Sequence, residues 1–260
     1  MKSLLKPLQW IYCIYAFITF VAIMLVLFPF ALIAGFFGRI KGGNMMIRLC
    51  MVWADSWFLL IFIWHKKIYE EPHQLPDGRQ CKKKAYIYVS NHISYLDAAI
   101  LVKAFRQPFR PLGRIELSKL PFFGFIYRNA IVTVDRTSVT NRANSVRILK
   151  SLISKGISVL VFPEGTFNMT TGPLKEFFDG AFRIAIETQT PIKPVLFLDA
   201  YRRMPYDNLF SINPGRSRIV YLAEIPVTSY KLADIGKLKK EVYAIMEKKL
   251  VEYDAAWRKP

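Results

Sequence analysis

Asn91-His92-Ile93-Ser94-Tyr95-Leu96-Asp97 sets an imidazole and a carboxylate five residues apart, directly after the apolar, β-rich run 85–90. On a regular helix of roughly 3.6 residues per turn, side chains five apart diverge by about 140°. His92 and Asp97 can therefore meet only if the histidine precedes the helix. With Ser94 as N-cap, Asp97 takes the third helical position and the loop folds His92 back onto the carboxylate. A carboxylate on one imidazole nitrogen fixes the tautomer and stabilises the imidazolium, leaving the other nitrogen to take a proton from a hydroxyl. The same residues also admit a plain capping box, Ser94 with Asp97, beside an incidental loop histidine.

Phe162-Pro163-Glu164-Gly165-Thr166 also follows an apolar run, 157–162. Gly165 permits close backbone approach to a ligand, Glu164 can accept bonds from substrate hydroxyls, and Thr166 can cap a helix or bind substrate. Taken alone, the segment also fits a strand-ending Pro-Gly turn. A third group, residues 113–124 with Val134-Asp135-Arg136, gathers cations and aromatics. Arg114, Lys119 and Arg136 can hold a phosphate, while Phe122, Phe123 and Phe125 offer an apolar surface to acyl chains or bilayer. A basic surface over a buried aromatic cluster is the plainer alternative.

Positioning these groups requires a sheet. Residues 85–90, 130–134, 157–162, 192–198 and 218–222 read as strands, and 96–105, 139–154, 180–188 and 230–254 as helices with apolar residues at three-to-four spacing. The alternation implies an α/β fold, a mixed sheet flanked by helices. In such sheets ligands bind beyond the carboxyl ends of strands, where both His92 and Glu164 fall.

Ahead of this domain, residues 7–38 contain no Asp, Glu, Lys or Arg, more than the roughly 20 residues needed to cross a bilayer. A second apolar segment, 49–64, is interrupted by Asp55, and the basic stretch 38–43 joins the two. Both ends and the connection carry Lys or Arg, so spanning helices would leave one cluster on the wrong face. A two-helix hairpin lying in one leaflet, kinked at Pro29, fits better. The expected organisation is an N-terminal membrane-associating hairpin over 1–69, a polar linker over 70–84, and an α/β domain over 85–260. The 37 Lys and Arg against 19 Asp and Glu favour anionic partners. No nucleic-acid motif accompanies the charge, so a phospholipid surface is favoured over nucleic acid. Cys13, Cys50 and Cys81 are too far apart for metal spacing, and no metal site is expected.

In this order the blocks resemble the glycerolipid acyltransferase family that includes the bacterial lysophosphatidic acid acyltransferases. The likeness covers most of residues 85–198: the NHxxxxD motif at Asn91–Asp97, phosphate-binding blocks at 114–124 and 131–136, FPEGT at 162–166, and a proline-bounded strand at Pro191-Ile192-Lys193-Pro194-Val195. A two-helix membrane motif is typical of that family as well. The resemblance implies His92 and Asp97 as catalytic residues, with Asn91, Arg114, Lys119, Arg136, Glu164, Gly165 and Thr166 binding substrate. It implies no cofactor, since acyl-CoA or acyl carrier protein is the acyl donor, and a lysolipid hydroxyl as acceptor, first of all lysophosphatidic acid in phospholipid biosynthesis. The enzyme would sit at the membrane with its active site facing the cytoplasm. Three positions depart from the family pattern: Phe167 where Arg usually follows FPEGT, Phe178-Asp179 where basic residues are common, and Lys193 where an aliphatic residue is usual. These departures admit another acceptor, such as a lyso-aminolipid. Two further readings are a thioesterase and a non-catalytic protein that binds anionic lipids.

Overall fold

The computed structural model describes residues 2–71, 84–134 and 139–257. Helix α1 (Lys2–Gly35) continues through Pro29. A proline removes one bond of the helical ladder, and the turns on either side keep theirs. A short π-helical turn, Gly38–Gly42, reverses the chain into α2 (Gly43–Leu60). The reversal is tight: a Cβ on Gly42 would lie 2.2 Å from the Ala34 carbonyl oxygen, so only glycine fits. The helices run antiparallel, with Phe20 edge-on to Trp53 and Trp57, whose indoles donate to Phe20 O and Ala16 O.

From α2 the chain turns at Phe62, in the left-handed region, into strand β1 (Ile63–Tyr69). This corrects the reading of 49–64 as one apolar segment, because residues 63–69 belong to the sheet. Of the expected linker, residues 72–83 lie outside the described residues. Then follow β2 (Ile87–Ser90), α3 (Asp97–Ala104), β3 (Phe109–Arg114), α4 (Phe123–Ala130), β4 (Val132–Val134), α5 (Val139–Ile153), β5 (Ser158–Val161), α6 (Gly180–Thr188), β6 (Ile192–Phe197), α7 (Ala200–Arg203), β7 (Gly215–Tyr221) and α8 (Ile235–Glu252). Ala130 closes α4 rather than opening the strand expected over 130–134.

Seven strands form one mixed sheet in the order β1-β7-β6-β2-β5-β3-β4. β2 to β6 are parallel, whereas β7 runs antiparallel to β6 and carries β1 alongside in parallel. Strand alternation sends Tyr88, Leu160, Ile219 and Tyr221 to the face covered by α1, α2 and α3. Ile87, Val89, Val159 and Val220 point to the other face, under α5, α6 and α8. The hairpin is also held to the domain: Arg110 of β3, buried, donates to the carbonyls of Arg39 and Ile40 in the turn. Lys103 of α3 pairs with Asp55 of α2, as does Arg106 at 3.3 Å.

Candidate active site

Asn91 leaves β2 and locks onto β6 at two points, its amide donating to Phe197 O at 3.0 Å and its oxygen accepting from Phe197 N at 2.8 Å. The site thus starts at a fixed place beyond the carboxyl end of the sheet, and Asn91 acts here on the backbone. His92 Nδ1 lies 2.8 Å from Asp97 Oδ2, which also accepts the N–H groups of Ile93 at 2.8 Å and Ser94 at 2.9 Å. A carboxylate only accepts, so Nδ1 carries the proton and Nε2 is left as the acceptor. Asp97 is fully buried, while 24% of the His92 side chain is exposed.

The histidine precedes the helix, as the spacing requires, but the cap differs from expectation. α3 begins at Asp97 itself with Leu96 at the N-cap position. Ser94 receives the Leu96 N–H on its hydroxyl and donates to Met204 O, so its side chain ties the loop to the segment after α7.

The loop after β5 supports the same histidine from beneath. Gly165 has φ +72°, a left-handed turn that suits glycine. Glu164 is fully buried, and its two carboxylate oxygens accept the backbone N–H groups of His92 at 2.8 Å and Lys175 at 2.9 Å. The expectation that Glu164 meets substrate hydroxyls is therefore corrected: it joins two loops. Burial pushes its carboxyl up to about 8. Thr166 caps no helix, and its hydroxyl accepts from the Lys175 ammonium at 2.8 Å.

The contacts that support His92 from several other residues escaped the sequence reading. Phe162 stacks on the His92 ring at 4.2 Å and 15°, and Phe167 packs against it at 4.4 Å. Asn168 donates its backbone N–H to His92 O at 2.7 Å, while its buried side chain ties down Thr170 and Gly172. Only the polar Asn-x-Thr pattern after the motif hinted at this loop.

Arg114 and Lys119 are exposed at the end of β3 and in the 3-10 turn Ile115–Lys119 that follows, and neither forms an ion pair among the described residues. Arg136 lies outside the described residues. Between those two cations Leu117 enters the wall of an apolar cavity of about 720 Å³, enclosed by α1, α2, α3 and α4. Tyr95 and Leu96, from the loop that carries His92, line its near end with Met204. Such a volume suits a lipid-sized ligand. Among the described residues no group of three or more His, Cys, Asp or Glu could hold a metal ion.

The chain is similar to known proteins in sequence and in fold. The acyltransferase family model matches residues 67–198, just over half of the chain. The 1-acyl-sn-glycerol-3-phosphate acyltransferase of Salmonella typhimurium is 29% identical over 187 residues, covering 67% of this chain and 74% of that protein. The Escherichia coli K12 protein of the same name is 29% identical over 170 residues, 65% of this chain and 68% of its own. The crystal structure of the 1-acyl-sn-glycerophosphate (LPA) acyltransferase from Thermotoga maritima covers both chains fully, with a TM-score of 0.71 at 20% identity, a likeness of fold.

Proposed function

The chain belongs to the acyltransferase family, and on that premise we propose that it moves a fatty acyl group from acyl-CoA or acyl carrier protein to the free hydroxyl of a lysolipid, first of all lysophosphatidic acid, giving phosphatidic acid in phospholipid biosynthesis. The observation that carries this reading is the His92–Asp97 pair, with Nδ1 occupied and Nε2 left to accept, on a loop that also walls an apolar cavity of about 720 Å³.

In the reaction, Nε2 takes the proton of the acceptor hydroxyl as its oxygen attacks the thioester carbonyl carbon. The tetrahedral intermediate collapses with cleavage of the C–S bond, and the imidazolium returns the proton to the departing thiolate. The Asp97 carboxylate steadies the transient imidazolium, and no acyl-enzyme is required. The apolar cavity takes a fatty acyl chain. α1, long and apolar enough to cross a membrane with Phe17, Val26 and Phe30 exposed, holds the site at the bilayer, with the active site on the cytoplasmic side where the thioester donor arrives.

Arg114 and Lys119 flank the cavity wall at Leu117 and are the cations available to an acceptor phosphate. Phe167 supports a second acceptor class, a lysolipid with an amine head group, because an aromatic face stands 4.4 Å from His92 where the family usually carries Arg. A lysolipid panel separates the two. The phosphate reading expects transfer to lysophosphatidic acid, with KM raised at least tenfold by Arg114→Ala with Lys119→Ala. Transfer confined to amine-headed lysolipids would overturn it.

A further inference from the structure

Beyond the carboxyl ends of the strands, at the same end of the sheet as His92, lies a second and more polar cavity of about 290 Å³, walled by Tyr201, Arg202, Pro205, Asp254 and Trp257. The C-terminal segment after α8 returns across the sheet end to form it, pinned by the Ala256 N–H on Leu198 O at 2.7 Å. Arg218 braces its base, pairing with Asp199 at 2.8 Å and donating to the carbonyls of Tyr253 and Asp254. Arg202 is exposed and forms no ion pair among the described residues.

A line of rings joins this cavity to the reacting centre: His92 to Phe167 at 4.4 Å, Phe167 to Tyr206 at 6.3 Å, and Tyr206 to Tyr201 at 6.0 Å. The pantetheine arm of CoA, about a dozen covalent bonds and on the order of 15 Å when extended at ordinary bond lengths, is comparable in length to that path. From these observations we propose that the Tyr201–Trp257 cavity binds the adenosine bisphosphate end of acyl-CoA. The pantetheine then lies along Phe167 and Tyr206, and the thioester stands at His92.

The chemistry of the walls fits such a ligand. The rings of Trp257 and Tyr201 border the space an adenine would fill, the Asp254 carboxylate can accept from its exocyclic amine, and the Arg202 guanidinium can bind phosphate oxygens. The two cavities also divide the donor by polarity: the acyl chain goes to the apolar side formed with α1 and α2, and the nucleotide stays at the polar sheet end. Phe167, beside His92 where donor and acceptor meet, borders the donor's path as well as the acceptor's.

The inference rests on the acyl-transfer reading but is tested apart from it. Full-length protein in detergent, as wild type, Trp257→Ala and Arg202→Glu, is titrated calorimetrically with adenosine 3′,5′-bisphosphate. KM and kcat are then measured with acyl-CoA and with acyl-pantetheine, which lacks the nucleotide. The expected result is binding by wild type, at least tenfold weaker in both variants, and a KM for acyl-CoA raised at least tenfold with kcat and acyl-pantetheine use unchanged. Arg202→Glu alters an exposed side chain, so it reports on the site even if Trp257→Ala fails to fold. No binding by wild type, or equal binding by Arg202→Glu, overturns the site. Binding lost in the variants while wild type transfers from neither donor keeps the site and removes the acyl-transfer reading.

Discussion

His92 and Asp97 form the unit from which the residue-scale predictions start. General-base catalysis contributes about 10²–10⁴-fold, so His92→Ala should lower kcat by at least that factor while leaving the thermal midpoint within a few degrees. Asp97→Asn should lose a similar factor for a different reason. The amide oxygen takes the place of Oδ2, which accepts from Ile93, Ser94 and Nδ1, but the neutral amide no longer steadies the imidazolium that forms. Two other buried groups set opposing pH dependences of stability. His65, packed near Phe58, is pushed down to about 3, mainly by burial, and stays neutral in the fold. Its contribution is complete above the usual histidine value near 6.5 and is lost as pH falls towards 3. Glu164, raised from 4.5 to about 8, contributes fully below 4.5 and loses that contribution as pH rises to 8. Chemical denaturation should therefore show stability from this pair rising between about 3 and 4.5, level to about 6.5 and falling to about 8. His65→Gln removes the lower limb and Glu164→Gln the upper; limbs that persist in these variants belong to other groups. The sequence made the His92–Asp97 pairing legible because a five-residue spacing requires the histidine to precede the helix. The supporting hydrogen bonds of Glu164, Asn168 and Lys175 were not legible, since each depends on how two distant loops meet.

At the scale of elements, five strands and four helices were legible from apolar periodicity, while β1 and β3 were not. Lys66 and Lys67 interrupt β1, and Arg110-Pro111 interrupts β3, so neither shows the continuous apolar run of a buried parallel strand. Arg110 makes sense only once the hairpin turn is laid against it. The contact between α2 and α3 through Asp55 and Lys103 has a measurable consequence. The Lys103 side chain is only 11% exposed, and an ammonium left without its carboxylate there costs about 2 kcal/mol. Asp55→Ala should lower unfolding stability by about that amount, and adding Lys103→Met should restore most of it. Equal stability of Asp55→Ala and wild type would show that the pair contributes nothing to holding the hairpin on the domain.

Across the whole molecule, the proposed membrane role draws on the apolar helices, the cavity between them and the domain, and a net charge of +18, which would favour an anionic bilayer. Binding to vesicles containing anionic phospholipid should exceed binding to neutral vesicles and weaken with added salt, as screened surface charge requires. Cavity volume should set acyl length: Ala99→Phe, which fills part of the wall beneath the His92 loop, should shift preference towards shorter acyl donors. An unchanged chain-length profile would place the acyl chain elsewhere. The most direct measurement is thiol release from acyl-CoA and acyl carrier protein, with and without lysolipid, for wild type and His92→Ala together. Release that requires a lysolipid and vanishes in a folded His92→Ala protein is the predicted result. Undiminished transfer by His92→Ala, or thioester cleavage giving only free fatty acid with every lysolipid offered, would contradict it.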